Sequence, residues 1–311
     1  MKNNIIITIA LILTINNSFA QHFNKEELFF LKAKEDSLQP LSEKIVMAMN
    51  PEDRLRADSF FTKILVRALK TRNAFHYPFD SLFAISKLYS PDSVFRIFTW
   101  QLVIDENKVR QHGAIQMKTS DGTLRLIPLI DNSENTYKLQ DTIVNNSAWI
   151  GAIYYKILMN KIQDKKIYTL LGYDEGNIRI SRKIIEFMHF ENDAPIFGGS
   201  YFDYSSDTSH IQYEARHVME FKKEAGPRLT YDDEMKMIIM EHLVSESNEP
   251  TKKWTLVGDG DYEGYKWEHG KWNYISKVFN QIIPEGKAPV PEIFLDKKEN
   301  NKIISPQHQN D

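Results

Sequence analysis

The chain has 311 residues, a formal net charge of −3 at pH 7 with both signs scattered along it, and no cysteine. Lacking a basic block, it is a poor partner for nucleic acid or an anionic membrane surface. Lacking thiols, it has no Cys nucleophile, no Cys-ligated metal and no disulfide, so its stability rests on an apolar core that a chain of this length can bury.

In chain order, residues 1–20, MKNNIIITIALILTINNSFA, begin with Lys2, run through an uncharged apolar stretch from Ile5 to Ile15 and end in small residues at Ser18 and Ala20. That layout predicts a secretory signal peptide cleaved after Ala20. The apolar stretch is about half of the ~20 residues that a membrane span requires. No Cys follows it to carry a lipid, and no later apolar run is long enough to span a bilayer. The mature chain is expected to be exported, either periplasmic or secreted.

Residues 21–92 read as a helical region. Asn24 followed by Glu27 predicts a capped helix start, and the helix is expected to run to about Leu38. Pro40 is tolerable in the first turn of a next helix, on which Leu41, Ile45 and Met49 share a face. Asn50-Pro51 repeats the start signal. Ala57, Phe60, Phe61, Ile64, Leu65, Ala68 and Leu69 then form a broad apolar stripe. A short fourth helix is expected from Asp80 to about Ser90-Pro91.

Residues 93–280 read as an antiparallel β domain. From Val94 the apolar period becomes two: Phe98, Trp100, Leu102 and Ile104 lie on one face of FRIFTWQLVI. After the turn at DENK the apolar set is Val109, Ile115 and Met117, and after TSDG it includes Leu124 and Leu126. A polar link, DNSENTYKLQD, leads to WIGAIYYKILMNKI, which turns at QDKK into IYTLLGY and at DEGN into IRISRKIIEFMHF. Short turns between such runs imply antiparallel strands. GGSYFDYSSDTSH reads as a loop; HIQYEARHVMEF, RLTYDD and MKMIIMEHLV read as strands, with a short helix at EHLV as the alternative. WTLVGDGDYEGYKWEHGKWNYI supplies the last strands, and residues 281–311 read as a loose polar tail. The fold class expected is α+β: a helical N-terminal region followed by a large antiparallel β-meander as one curved sheet, a sandwich or an open barrel.

The acidic stretch DGDYEGYKWEHGKW, residues 259–272, has two readings. Asp259, Asp261, Glu263 and Gly264 occupy positions one, three, five and six of the calcium-loop template, but position twelve is Gly270 instead of a bidentate Glu. The flanks read as strands, so the helix–loop–helix form fails; weak calcium binding through Asp259, Asp261 and Glu263 stays open. The favoured reading is structural, with one turn at Gly258–Asp261 and another at Glu268–Lys271. Tyr265 and Trp267 then lie across the ladder from Trp272 and Tyr274.

Other catalytic patterns are weak. His217 alternates with Ala215, Met219 and Phe221 and is expected to be a hydrogen-bonded core imidazole. His189, Asp193 and His242 would form a metal set only if the fold gathered them. Ser200 in FGGSYF lacks a nucleophile elbow. Glycoside hydrolysis needs two acids about 5–10 Å apart in a concave site, for which Glu214, Glu220 and Glu241 are available among many. No phosphate-binding glycine loop is present.

FRIFTWQ (95–101), WIGAIYYKI (149–157), YTLLGYDEGNIRISRKII (168–185) and YEGYKWEHGKWNYI (262–275) resemble segments of a family of uncharacterised exported proteins of Bacteroidota. The resemblance covers about residues 93–280; it implies export and the hairpin organisation, and carries no activity, cofactor or catalytic residues. The leading expectation is a non-catalytic envelope protein that binds a ligand or a protein partner on its sheet or between helices and sheet. The alternative is a hydrolase of cell-wall or dietary glycans acting through a carboxylate pair. No cofactor is expected beyond the calcium considered above.

Overall fold

A computed structural model describes residues 23–205 and 214–279; the expected signal peptide and tail lie outside these residues. Helix α1 spans Lys25–Met47 and starts at the expected capping box, in which the Asn24 side chain accepts from the Glu27 amide and the Glu27 carboxylate accepts from the Asn24 amide. It does not stop near Leu38: Pro40 sits inside one continuous helix. Proline removes a single main-chain donor there, and burial of Leu31, Leu38 and Ile45 against the second helix holds the turns on either side. Helix α2, Pro51–Leu69, begins at Asn50-Pro51 as expected. Ala57, Phe61, Leu65, Ala68 and Leu69 of its stripe are buried, whereas Phe60 is exposed.

The fourth helix is absent. Phe79 adopts a left-handed backbone conformation. The buried Glu35 carboxylate accepts from the Ser81 amide and hydroxyl at 2.7 and 2.8 Å, fixing a turn. The chain then forms strand β1, Ser86–Tyr89, so the sheets begin ahead of residue 93.

Three open sheets follow. The first is an antiparallel meander of β1, β2 (Phe95–Asp105), β3 (Lys108–Met117) and β4 (Arg125–Ile130). The second runs β5 (Val144–Asn145), β9 (Ala194–Phe197), β8 (Ile180–Glu191), β7 (Lys165–Asp174), β6 (Ile153–Ile162), with β11 (His217–Lys222) also paired to β8. The third runs β10 (Phe202–Asp203), β15 (Lys271–Ile275), β14 (Leu256–Glu268), β13 (Met237–Ser245), β12 (Leu229–Asp232). All pairings are antiparallel except β10 with β15, so the segment read as a loop at GGSYFDY contributes a short strand. EHLV belongs to β13, not to a helix.

Side-chain alternation stacks these elements in layers. Phe98, Trp100 and Leu102 of β2 pack on the helices, while Phe95 and Ile97 of the same strand pack on the second sheet. Leu170 and Ile184 of that second sheet face the first, and Leu171, Ile185 and Phe187 face Ile238, Tyr265 and Trp272 of the third. Helices, first sheet, second sheet and third sheet thus share three successive cores. Both inner sheets are apolar on both faces.

The hairpin at the end of the chain departs from expectation at its first turn. β14 runs unbroken through Gly258–Asp261, because Leu243 pairs with Gly258 and Glu241 with Tyr262. Three residues, Asp259, Gly260 and Asp261, therefore stand opposite the single His242 as an enlarged bulge, with Gly260 at φ +87°. His242 Nδ1 lies 2.8 Å from Asp259 Oδ2, so the cross-strand contact completes the ladder where the backbone cannot. The second turn is as expected: His269 and Gly270 both take positive φ, and Tyr265 pairs with Tyr274 and Trp267 with Trp272.

Candidate functional site

A concavity lies where three connections meet: the β2–β3 hairpin tip, the segment after β4, and the β7–β8 turn. Two adjoining cavities of about 300 Å³ each share Val109, Asp131 and Glu134 in their walls. Concave sites with a few convergent polar groups are where ligands bind most often.

Two aspartates at strand ends build this cleft. Asp131 follows the last residue of β4, and its Oδ1 accepts from the Ser133 amide (3.0 Å), the Ser133 hydroxyl (2.7 Å) and the Gly151 amide (3.3 Å). Its Oδ2 accepts from the Gln111 amide at 2.9 Å, satisfying the edge of β3 where β4 has ended. Gly151 is required, since a Cβ there would stand 2.4 Å from the Gln111 Cβ.

Asp174 ends β7. Its Oδ1 accepts from Gln111 Nε2 at 3.0 Å and from the Gly176 amide at 3.1 Å, and its Oδ2 is 3.2 Å from Arg182 Nη1. Arg182 Nε donates to Glu220 at 2.9 Å, extending the chain of polar contacts onto β11. Burial lifts the Asp174 carboxyl above its ordinary value, against the pull of the Arg182 guanidinium. At the mouth, Lys108 and Glu134 form an exposed ion pair at 2.9 Å. On the helix side, His112 Nδ1 is held 2.9 Å from Asp58 of α2, whose same oxygen accepts from Trp100 Nε1 at 2.8 Å.

The raised Asp174 value has a stability consequence of definite sign. The folded chain takes up this proton at a higher pH than the unfolded chain does. The stabilisation it contributes is therefore fully present in acid and lost as pH rises through the folded value. Asp174→Asn removes it, so urea unfolding of this variant should show a steeper loss of stability between about pH 7 and pH 4 than the parent chain shows. Parallel pH profiles for the two chains would contradict the assignment.

The residues singled out in the sequence are dispersed. Asp259 is bonded to His242 and to the Asp261 amide, and Glu263 accepts from the Tyr274 hydroxyl. His189 Nε2 lies 2.8 Å from Glu191, and the largely exposed Asp193 pairs with Arg125. Among the described residues, no group of three His, Asp or Glu is placed to hold a metal ion. Ser200 is exposed beside Gly199, and the main-chain oxygen of Ser200 accepts from Lys271. Glu214 bonds to Tyr204, Glu220 to Arg182 and Glu241 to the Arg228 amide, so each serves a different element. His217 is a hydrogen-bonded imidazole at the edge of the third core, 3.3 Å from the Tyr265 hydroxyl and with its ring edge against Phe202.

Asp131 and Asp174, which organise the cleft, are legible in the sequence only as turn residues in DNS and DEG. The signal available was an Asp directly after an apolar strand with a second such Asp elsewhere, and many acids satisfy that. Comparison with family models, with curated proteins and with solved structures finds no match to this chain.

Proposed function

We propose that the chain is an exported, non-catalytic binding module of the cell envelope that holds a small polar ligand in the cleft around Asp131 and Asp174. One observation carries the reading: the cleft gathers polar side chains from three connections, yet both oxygens of each of the two aspartates that build it are already engaged by protein donors. Carboxylates committed in this way shape a site and orient its walls. They are not poised to exchange protons with a reacting group. Export is supported by the pattern of residues 1–20, and among the described residues no helix is long and apolar enough to cross a membrane.

The test is amide chemical-shift mapping of the full chain against short saccharides, free amino acids and inorganic phosphate. Saturable shifts should concentrate at residues 107–112, 131–136 and 174–182. A panel that perturbs none of these residues would end the cleft reading.

A second reading, hydrolysis of glycans, is favoured by one feature: Asp174, with its raised carboxyl pKa, shares the cleft with Asp131. Turnover of chromogenic glycosides by the parent chain that is abolished in Asp174→Asn would establish it in place of simple binding.

A further inference from the structure

We infer that the ligand of the cleft is a small hydroxycarboxylate, its carboxylate gripped by Arg110 and its hydroxyl read by His112 Nε2. This inference rests on the cleft being the binding site, and it adds the chemical class and two recognition residues.

Both residues line the first of the two cavities, beside Ile130 and Asn132. They stand two apart on β3 and therefore on one face of the first sheet, paired with Leu102 and Trp100 of β2 on the face that packs on the helices. His112 is fixed there. Its Nδ1 lies 2.9 Å from the buried Asp58, and its ring stands edge-on to Trp100 with centroids 5.6 Å apart. Asp58 Oδ1, which already accepts from Trp100 Nε1, accepts from Nδ1 as well, so Nδ1 carries the ring hydrogen. The other nitrogen, Nε2, bonds to no protein group among the described residues and is open to solvent.

The groups without protein partners select the ligand. Arg110 is exposed and, among the described residues, makes no ion pair, hydrogen bond or ring contact. The other cations of the cleft are engaged, Lys108 by Glu134 and Arg182 by Asp174 and Glu220. Asp131 accepts from four donors and turns toward Gly151, on the opposite side of the sheet from His112. Asn132 Oδ1 accepts from Asn135 Nδ2 at 2.8 Å, while Asn132 Nδ2 makes no bond among the described residues. What this wall offers a ligand is thus a guanidinium, an amide donor and an imidazole nitrogen.

A free guanidinium matches a planar carboxylate, which it holds through two parallel hydrogen bonds. The imidazole in its neutral form presents Nε2 as an acceptor, which a carboxylate cannot use and a hydroxyl can. Residues two apart on a strand are separated by roughly 7 Å, so one small molecule reaches both side chains. A carboxylate with a hydroxyl on the next carbon satisfies Arg110 and His112 together. A neutral polyol leaves the guanidinium without a counter-charge, and a simple carboxylate leaves Nε2 without a donor.

The experiment titrates the full chain with lactate and with propionate, which differs from it by the hydroxyl alone, and with glucose, lysine and inorganic phosphate as probes of other classes, reading amide shifts around the cleft. Lactate should bind about tenfold more tightly than propionate. Arg110→Gln should weaken lactate by about tenfold or more, and Arg110→Lys by less. His112→Asn keeps a donor for Asp58 but lacks Nε2, so it should lower lactate to the propionate affinity and leave propionate unchanged. Thermal melts verify that each variant is folded, and the comparison of lactate with propionate in the parent chain decides the hydroxyl contact even where His112→Asn does not fold. Equal affinity for lactate and propionate, lactate binding unchanged in Arg110→Gln or in a folded His112→Asn, or cleft shifts with glucose, lysine or phosphate alone overturns this inference and leaves the cleft standing as a site. Failure of every probe to shift the cleft amides overturns the cleft reading and this one together.

Discussion

Arg96→Met is expected to lower the free energy of unfolding by about 3–5 kcal/mol, one of the largest single-residue effects in the chain. The guanidinium is fully buried on β2, on the side that faces the helices. Its Nε donates to Gln116 at 2.7 Å, Nη1 to Tyr77 O at 2.5 Å and to the Tyr89 hydroxyl at 3.0 Å, and Nη2 to Ala74 O at 2.7 Å. No carboxylate is among these partners. The charge is spread instead over carbonyl oxygens and the faces of Phe75, Phe79, Tyr89 and Phe98, with the guanidinium carbon 4.7–5.8 Å from the ring centroids.

Burial pulls the Arg96 pKa down to about 10, still well above neutrality, so the side chain remains a cation that needs every one of these contacts. Methionine keeps the length and the apolar contacts but leaves the Tyr77 carbonyl and the Gln116 side-chain oxygen without their donors in a dry interior, while the Ala74 carbonyl keeps only the Tyr77 amide. Each such loss costs about 1–3 kcal/mol. Arg96→Lys should be nearly as damaging, because a single ammonium cannot reach three directions at once. Urea unfolding measures both, and a lysine variant as stable as the parent would show that the forked geometry is not what holds residues 74–89 to the first sheet.

Segments where local chemistry and packing agree were readable without coordinates. The Asn24–Glu27 capping box, the period-two alternation of β2 and the two-residue turn at His269-Gly270 each encode their conformation within a few residues. What escaped was set by partners distant in sequence. Pro40 looks like a boundary until Leu38 and Ile45 are seen gripping α2 on either side of it. Residues 80–90 look helical until Glu35 captures Ser81 and β2 offers an edge to pair with. The stacking of three sheets was present in plain form in YTLL and KIIEF, whose consecutive apolar residues need a core on both faces. A half-buried strand alternates; these do not. The cleft was hidden for a different reason: Asp131 and Asp174 are far apart in sequence, and it takes the fold, with Gln111 bonded to both, to bring them together.

Arg216→Met should cost about 3–5 kcal/mol, while Arg216→Met combined with Glu186→Leu should recover most of that loss. Arg216 Nε donates to Glu186 Oε2 at 2.9 Å, and both side chains are wholly buried. Burial raises the Glu186 carboxyl above its ordinary value, opposed first by Arg216. Without the guanidinium, an ionised carboxylate is left in an apolar interior, the costly half of a broken pair. Removing both charges restores a dry contact between Leu, Met and the surrounding core. The deficit of the single variant should also shrink on acidification from about pH 7 to pH 5, because a group whose folded pKa is raised contributes stability that is lost as pH rises.

The same arginine reaches the cleft indirectly. Its Nη1 donates to Leu139 O, and the amides of Ala215 and Arg216 donate to Gln140 O at 2.7 and 3.1 Å, tying the segment after β4 to the second sheet. Leu139 lines the cleft. Arg216→Met is therefore expected to weaken ligand binding even in its folded fraction, although Arg216 lines neither cavity. Equal destabilisation of the single and double variants would mean that the pair contributes nothing beyond the space it fills, and unaltered ligand affinity in the single variant would mean that the cleft segment holds its shape without this anchor.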